Sequence, residues 1–150
     1  MVNIYKPQLS ILQQEILRFL IIRSGRSYNI LGIAKALGRT QAGIAKAIPG
    51  LESKGLIKTI KDQDSGRWSI EFNIDNRRNV ELKKVENLKV LYESGLAEFL
   101  EDNFPGRAVI LFGSYARGED SYYNELNEYG SDVDIAIVGH GKKEVALDKF

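Results

Sequence analysis

Apolar residues return every three to four positions through Leu9–Arg23, at Leu12, Ile16, Phe19 and Leu20, the stripe of an amphipathic helix, with Ser10 placed to cap its start. The same spacing at Ile30, Ile33, Ala34 and Leu37 predicts a second helix that Gly38 ends. Thr40 then caps a third, whose inner face is Ile44, Ile48 and Leu51 and which finishes near Lys54-Gly55. Pro49 falls inside it; lacking an N–H and crowding the carbonyl of Ala45, it is expected to kink or shorten this helix. The period then changes. Leu56–Lys61 and Arg67–Ile74 bracket Asp62–Gly66, and Trp68, Ile70, Phe72 and Ile74 alternate strictly, so a β-hairpin is predicted with Trp68 and Phe72 in its core. After the polar connector Asp75–Asn79, the sets Val80, Val85, Leu88, Tyr92 and Leu96, Phe99, Leu100 describe two further amphipathic helices, and Pro105-Gly106 makes a turn. Two continuously apolar runs, Ala108–Phe112 and Ile135–Val138, read as buried strands, and the charged Gly141–Phe150 as the start of a surface helix.

Two helices joined by a short Gly-containing turn and followed by a hairpin fit a winged helix-turn-helix. Charge divides the chain in the same place. Residues 1–75 hold 11 Lys+Arg against 6 Asp+Glu, a net +5, whereas residues 76–150 hold 10 against 14, a net −4. A basic first half is a candidate for nucleic acid. The stretch from Ile30 to Ile60 resembles the DNA-binding domains of MarR-like and ArsR-like transcription regulators. That resemblance implies a homodimer on double-stranded DNA with the third helix in the major groove. It places Arg39, Thr40, Gln41 and Lys46 on or near the DNA, and Lys58, Lys61 and Arg67 of the wing at phosphates. The residue types suit these roles, since Gln can pair with an adenine edge and Lys and Arg neutralise the backbone. A winged fold that serves only for dimerisation is the competing reading.

The second half carries its polar chemistry at strand ends. Gly113-Ser114 closes the first apolar run, and Asp132-Val133-Asp134 opens the second. A Gly-Ser at a strand exit lets the backbone approach a phosphate, with the hydroxyl and following amides as donors. Carboxylates at alternate strand positions share a face, so Asp132 and Asp134 are expected to converge into an oxygen-ligand pocket for Mg²⁺, although turn residues ahead of a strand would look the same. The segments LFGSYARGED and SDVDIAIV resemble the nucleotidyltransferase superfamily that includes DNA polymerase beta, most closely its minimal prokaryotic branch. The resemblance implies that Gly113 and Ser114 contact the phosphates of a nucleoside triphosphate, ATP being the expected nucleotide. It makes Asp132 and Asp134 catalytic ligands of two Mg²⁺ ions, and it implies transfer of NMP to a hydroxyl and a HEPN-type partner protein. Two departures stand out. Residues 121–130 lengthen the link between the two motifs, and the third carboxylate that the family carries on a later strand has only Glu144 and Asp148 as candidates here. The domain is therefore expected to be incomplete within residues 76–150, and this chain to bind nucleotide with little or no transfer, so that a transcription regulator with a nucleotide-sensing or dimerising second half is the alternative.

The fold class expected is α+β, a winged helix-turn-helix over residues 1–75 followed by a partial nucleotidyltransferase α/β domain with a small mixed sheet over 76–150. In a chain of 150 residues without cysteine, neither disulfides nor thiolate metal sites are available. No apolar run approaches the roughly 20 residues that span a bilayer, and residues 1–10 lack the pattern of a signal peptide. A cytoplasmic protein without membrane contact is expected. His140 reads as a solvated loop residue, Lys142-Lys143 as a solvated face, and Tyr122, Tyr123 and Tyr129 as aromatics that stabilise their own loop.

Overall fold

The computed structural model describes residues 8–61, 63, 66–121, 130–141, 143–147 and 150, which form two compact units, Met1–Asn79 and Val80–Phe150. The first is built from α1 (Ile11–Ile22), α2 (Ile30–Leu37), α3 (Gln41–Glu52) and the hairpin β1 (Ile57–Lys61) and β2 (Trp68–Phe72). Each helix starts where a side-chain oxygen can take an orphan amide. Ser10 Oγ accepts from the Gln13 amide at 3.2 Å while Gln13 Oε1 accepts from the Ser10 amide at 3.0 Å, a complete capping box. Asn29 and Thr40 accept from Gly32 and Gly43, and Gly38, at φ 61°, ends α2 in the left-handed conformation. The two helices are thus joined by a turn of three residues, Gly38 to Thr40. The stripes converge on one core, in which Ile16, Leu20, Ile33, Ile44 and Leu51 are fully buried and Ile57, Ile70 and Phe72 nearly so.

Three details depart from expectation. α3 runs through Pro49 to Glu52 without shortening, and the Ser53 amide donates to the Pro49 carbonyl at 2.9 Å. Ala45 and Pro49 both face solvent, so the carbonyl that Pro49 deprives of a donor is open to water. Trp68 is 53% exposed. It pairs with Lys61 at the tip end of the hairpin, where β1 ends and β2 begins, away from the buried Ile70 and Phe72. Tyr28, which no pattern singled out, exchanges both backbone hydrogen bonds with Ile70, at 2.8 and 2.7 Å, and adds a short bridge to the wing sheet. These elements in this order make a winged helix-turn-helix.

The second unit contains the rest of α4 (Arg77–Glu93), then α5 (Leu96–Asn103), β3 (Ala108–Phe112), the one-turn α6 (Gly113–Arg117) and β4 (Asp134–Val138). β3 and β4 pair antiparallel, with Phe112 opposite Asp134, Ile110 opposite Ala136 and Ala108 opposite Val138. A mixed sheet was expected; among the described residues this sheet has two strands and one antiparallel ladder. The strands are also less buried than their apolar runs predict. Alternation directs Val109, Leu111 and Ile135 to the face covered by α4 and α5, and leaves Ile110, Phe112 and Val138 about half exposed on the other. α4 likewise turns a different side inward. Val85, Leu88 and Tyr92 are exposed, whereas Lys83, Asn87 and Leu91 are buried. The charged segment after β4 is not helical over Lys143–Leu147.

Candidate functional site

The register of β3 against β4 brings the two motifs together. Because Phe112 pairs with Asp134, the residue after Phe112 lies beside the Asp134 side chain. Gly113 adopts φ 75°, and a Cβ at this position would stand 2.9 Å from Asp134 Cγ and 3.2 Å from its Cβ. Glycine is thus required twice, by the left-handed backbone and by the carboxyl packed on it. β4 begins at Asp134, so only this carboxylate is a strand residue; Asp132 is exposed in the segment ahead of it. The expectation that both sit at alternate positions of one strand is corrected to that extent. Ser114 occupies the first turn of α6, and its carbonyl accepts from the Glu119 amide at 3.0 Å. Among the described residues no group of three or more His, Cys, Asp or Glu is placed to hold a metal. Glu144 is exposed and outside the strands, while Asp148, Lys142 and the aromatics Tyr122, Tyr123 and Tyr129 lie outside the described residues.

α6 is held from below by groups that periodicity did not single out. Lys83 Nζ donates to Asp120 Oδ2 at 2.6 Å, with the Lys83 side chain 1% exposed. Asn87 Nδ2 donates to Asp120 Oδ1 at 2.7 Å and to the Tyr115 carbonyl at 2.8 Å, and the Tyr115 hydroxyl donates back to the Asn87 carbonyl at 3.1 Å. Burial, and then the charges of Asp120 and Glu86, push the Tyr115 phenol up to about 12. Gly118 ends α6 at φ 68°, and a Cβ there would meet the Val80 carbonyl at 2.8 Å. The signal was present in the sequence as polar residues at helical spacing, Lys83 and Asn87. A cavity of about 130 Å³ on the other face of the sheet is lined mainly by apolar residues, among them Leu88, Leu91, Leu100, Leu111 and Ile135, with Tyr92 and Glu101 beside them. His140 is exposed, and its carbonyl accepts from Arg107 at 2.7 Å.

In the first unit several of the residues assigned to DNA already hold intramolecular contacts. Arg39 donates to both oxygens of Glu15, at 2.9 and 2.7 Å, which holds the Glu15 carboxyl below its ordinary range. Lys58 is paired with Asp75 and lies 3.9 Å from Glu71, and its ammonium is pushed up by the Asp75 contact. The Thr40 hydroxyl is spent on the α3 cap. Gln41 and Lys46 stand exposed on α3, Lys61 lies over the Trp68 ring at 5.9 Å, and Arg67 is exposed beside it on the hairpin.

Residues 93–150 match the family model of the nucleotidyltransferase domain. Among solved structures, the chain is similar to MepR of S. aureus in complex with DNA, at 24% identity over 63% of this chain and 81% of that one, with a TM-score of 0.45. It is also similar to the adhesin competence repressor AdcR of Streptococcus pyogenes, at 21% identity over 69% and 72%, TM-score 0.49. A further structure of MepR, described as a transcription regulator of the Staphylococcus aureus multidrug efflux pump MepA, gives 26% identity over 64% and 70%, TM-score 0.46. No curated protein matches the chain.

Proposed function

We propose that this protein joins a duplex-DNA-binding winged helix to a unit that binds a nucleoside triphosphate with Mg²⁺ and belongs, by its reaction class, to NMP transfer onto a hydroxyl. The observation that carries the reading is the packing of the Asp134 carboxyl on the Gly113 backbone, which sets a cation ligand beside a phosphate donor loop. The residues fit the group. Asp132 and Asp134 supply hard oxygen donors, and the Ser114 hydroxyl and α6 amides supply donors for phosphate oxygens. Bound Mg²⁺ neutralises charge on the triphosphate, which is most of what phosphoryl-type chemistry asks of a site. The chain's own part is to orient: Gly113 keeps the backbone open, Ser114 donates, and the two aspartates hold.

Calorimetric titration of the full chain with ATP and Mg²⁺ tests this. Binding is expected, with at least a tenfold loss in the double substitution Asp132→Ala, Asp134→Ala; equal binding by the double variant would remove the assignment. The exposed, non-strand position of Glu144 favours a second reading, in which this chain binds nucleotide to regulate its DNA contacts without transferring it. Incubation with labelled ATP separates the two, since transfer that Asp134→Ala abolishes identifies the enzyme.

A further inference from the structure

We propose that Lys83, Asn87 and Asp120, together with Ser121 and Ser131, are positioning residues that hold Asp132 in register with the Gly113-Ser114 turn; the proposal rests on the reading of Asp132 and Asp134 as cation ligands. The chain leaves α6 through Gly118 and reaches Asp120, where the buried Lys83 ammonium takes one carboxylate oxygen and the Asn87 amide the other. A carboxylate with both oxygens engaged by groups on one helix cannot rotate or slide without leaving a buried charge unpaired. Asn87 also binds the Tyr115 carbonyl, so α6 and Asp120 share a single anchor.

The next residue closes a bracket. Ser121 and Ser131 face each other across two hydrogen bonds, the Ser131 amide to the Ser121 carbonyl at 3.0 Å and the Ser121 amide to Ser131 Oγ at 3.2 Å. Ser131 immediately precedes Asp132. The position of Asp132 is therefore set through Ser131, Ser121 and Asp120 by α4. The Gly113–Asp134 contact fixes the other carboxylate by a separate route, through the β3–β4 ladder. The lengthened link between the motifs then need not disturb the spacing of the two carboxylates.

Binding of Mn²⁺ to the full chain in the presence of ATP, followed by electron paramagnetic resonance, measures the consequence. Lys83→Met is expected to weaken Mn²⁺ at least tenfold, and Ser131→Ala, an exposed change that removes only the hydroxyl acceptor, about threefold, with DNA affinity of the winged helix unchanged in both. Should Lys83→Met fail to fold, Ser131→Ala decides alone. If the wild type binds Mn²⁺, the Asp132→Ala, Asp134→Ala variant loses it, and both folded positioning variants bind like wild type, the positioning role is overturned and the cation site stands. Failure of the wild type itself to bind Mn²⁺ overturns the cation site and the positioning role with it.

Discussion

At Gly113 a single missing methyl group carries two requirements, a φ of 75° and room for the Asp134 carboxyl. Gly113→Ala should therefore lower the stability of the second unit by about 1–3 kcal/mol, the usual range for a non-glycine residue held in a sparsely populated backbone region. It should also weaken Mg²⁺-dependent ATP binding by displacing Asp134. Urea unfolding and calorimetry on the same variant measure both, and a variant with wild-type ATP affinity would show that the contact has no bearing on the site. Tyr115 offers a spectroscopic counterpart. Its phenol is raised from 10.0 to about 12, so the folded state favours the neutral form. The stability it contributes is fully present below pH 10 and is lost as the pH rises through 12. An ultraviolet titration of phenolate absorbance should show one late-titrating tyrosine that is missing in Tyr115→Phe; an unchanged curve in that variant would contradict the assigned burial.

At the level of elements, the wing and α3 divide the DNA work unequally. Lys58 already satisfies Asp75 and Glu71, whereas Lys61 lies exposed on the hairpin over the Trp68 ring. A lysine must give up its carboxylate partners before it can neutralise a phosphate, so Lys61→Ala should reduce affinity for all duplex sequences more than Lys58→Ala does. Gln41→Ala should instead flatten the preference among sequences, because base-edge contacts alone discriminate directly between bases. Fluorescence anisotropy with a panel of duplexes measures both effects, and equal losses from Lys58→Ala and Lys61→Ala would mean that the ion pairs of Lys58 do not restrain it. α4 illustrates how an element can be predicted while its orientation is not. Its helical period was legible, but the face turned inward is the one bearing Lys83 and Asn87 rather than the one bearing Val85, Leu88 and Tyr92. Their partners Asp120 and the Tyr115 carbonyl are 37 and 28 residues away in sequence, and no local pattern encodes such pairings.

For the molecule as a whole, the excess of positive charge in residues 1–75 predicts duplex binding whose logarithmic affinity falls steeply with salt, and anisotropy from about 50 to 200 mM salt should show it. Binding that is absent at low salt would leave the winged helix as a packing or dimerisation module. What the residues determined by themselves is whatever depends on near neighbours. The caps at Ser10 and Thr40, the left-handed stop at Gly38, the helical stripes and the alternating hairpin follow from hydrogen bonds and periodicities that close within a few positions. The two motifs of the candidate site were likewise visible as residue types at strand ends. Only the tertiary structure decided which chemistry meets which: the Tyr28–Ile70 bridge, the exposure of Trp68 at the tip end of the hairpin, the seating of Asp134 on Gly113, and the burial of a lysine against Asp120. Each of these joins groups far apart along the chain, and burial is a property of what packs over a residue, which its own sequence neighbourhood does not contain.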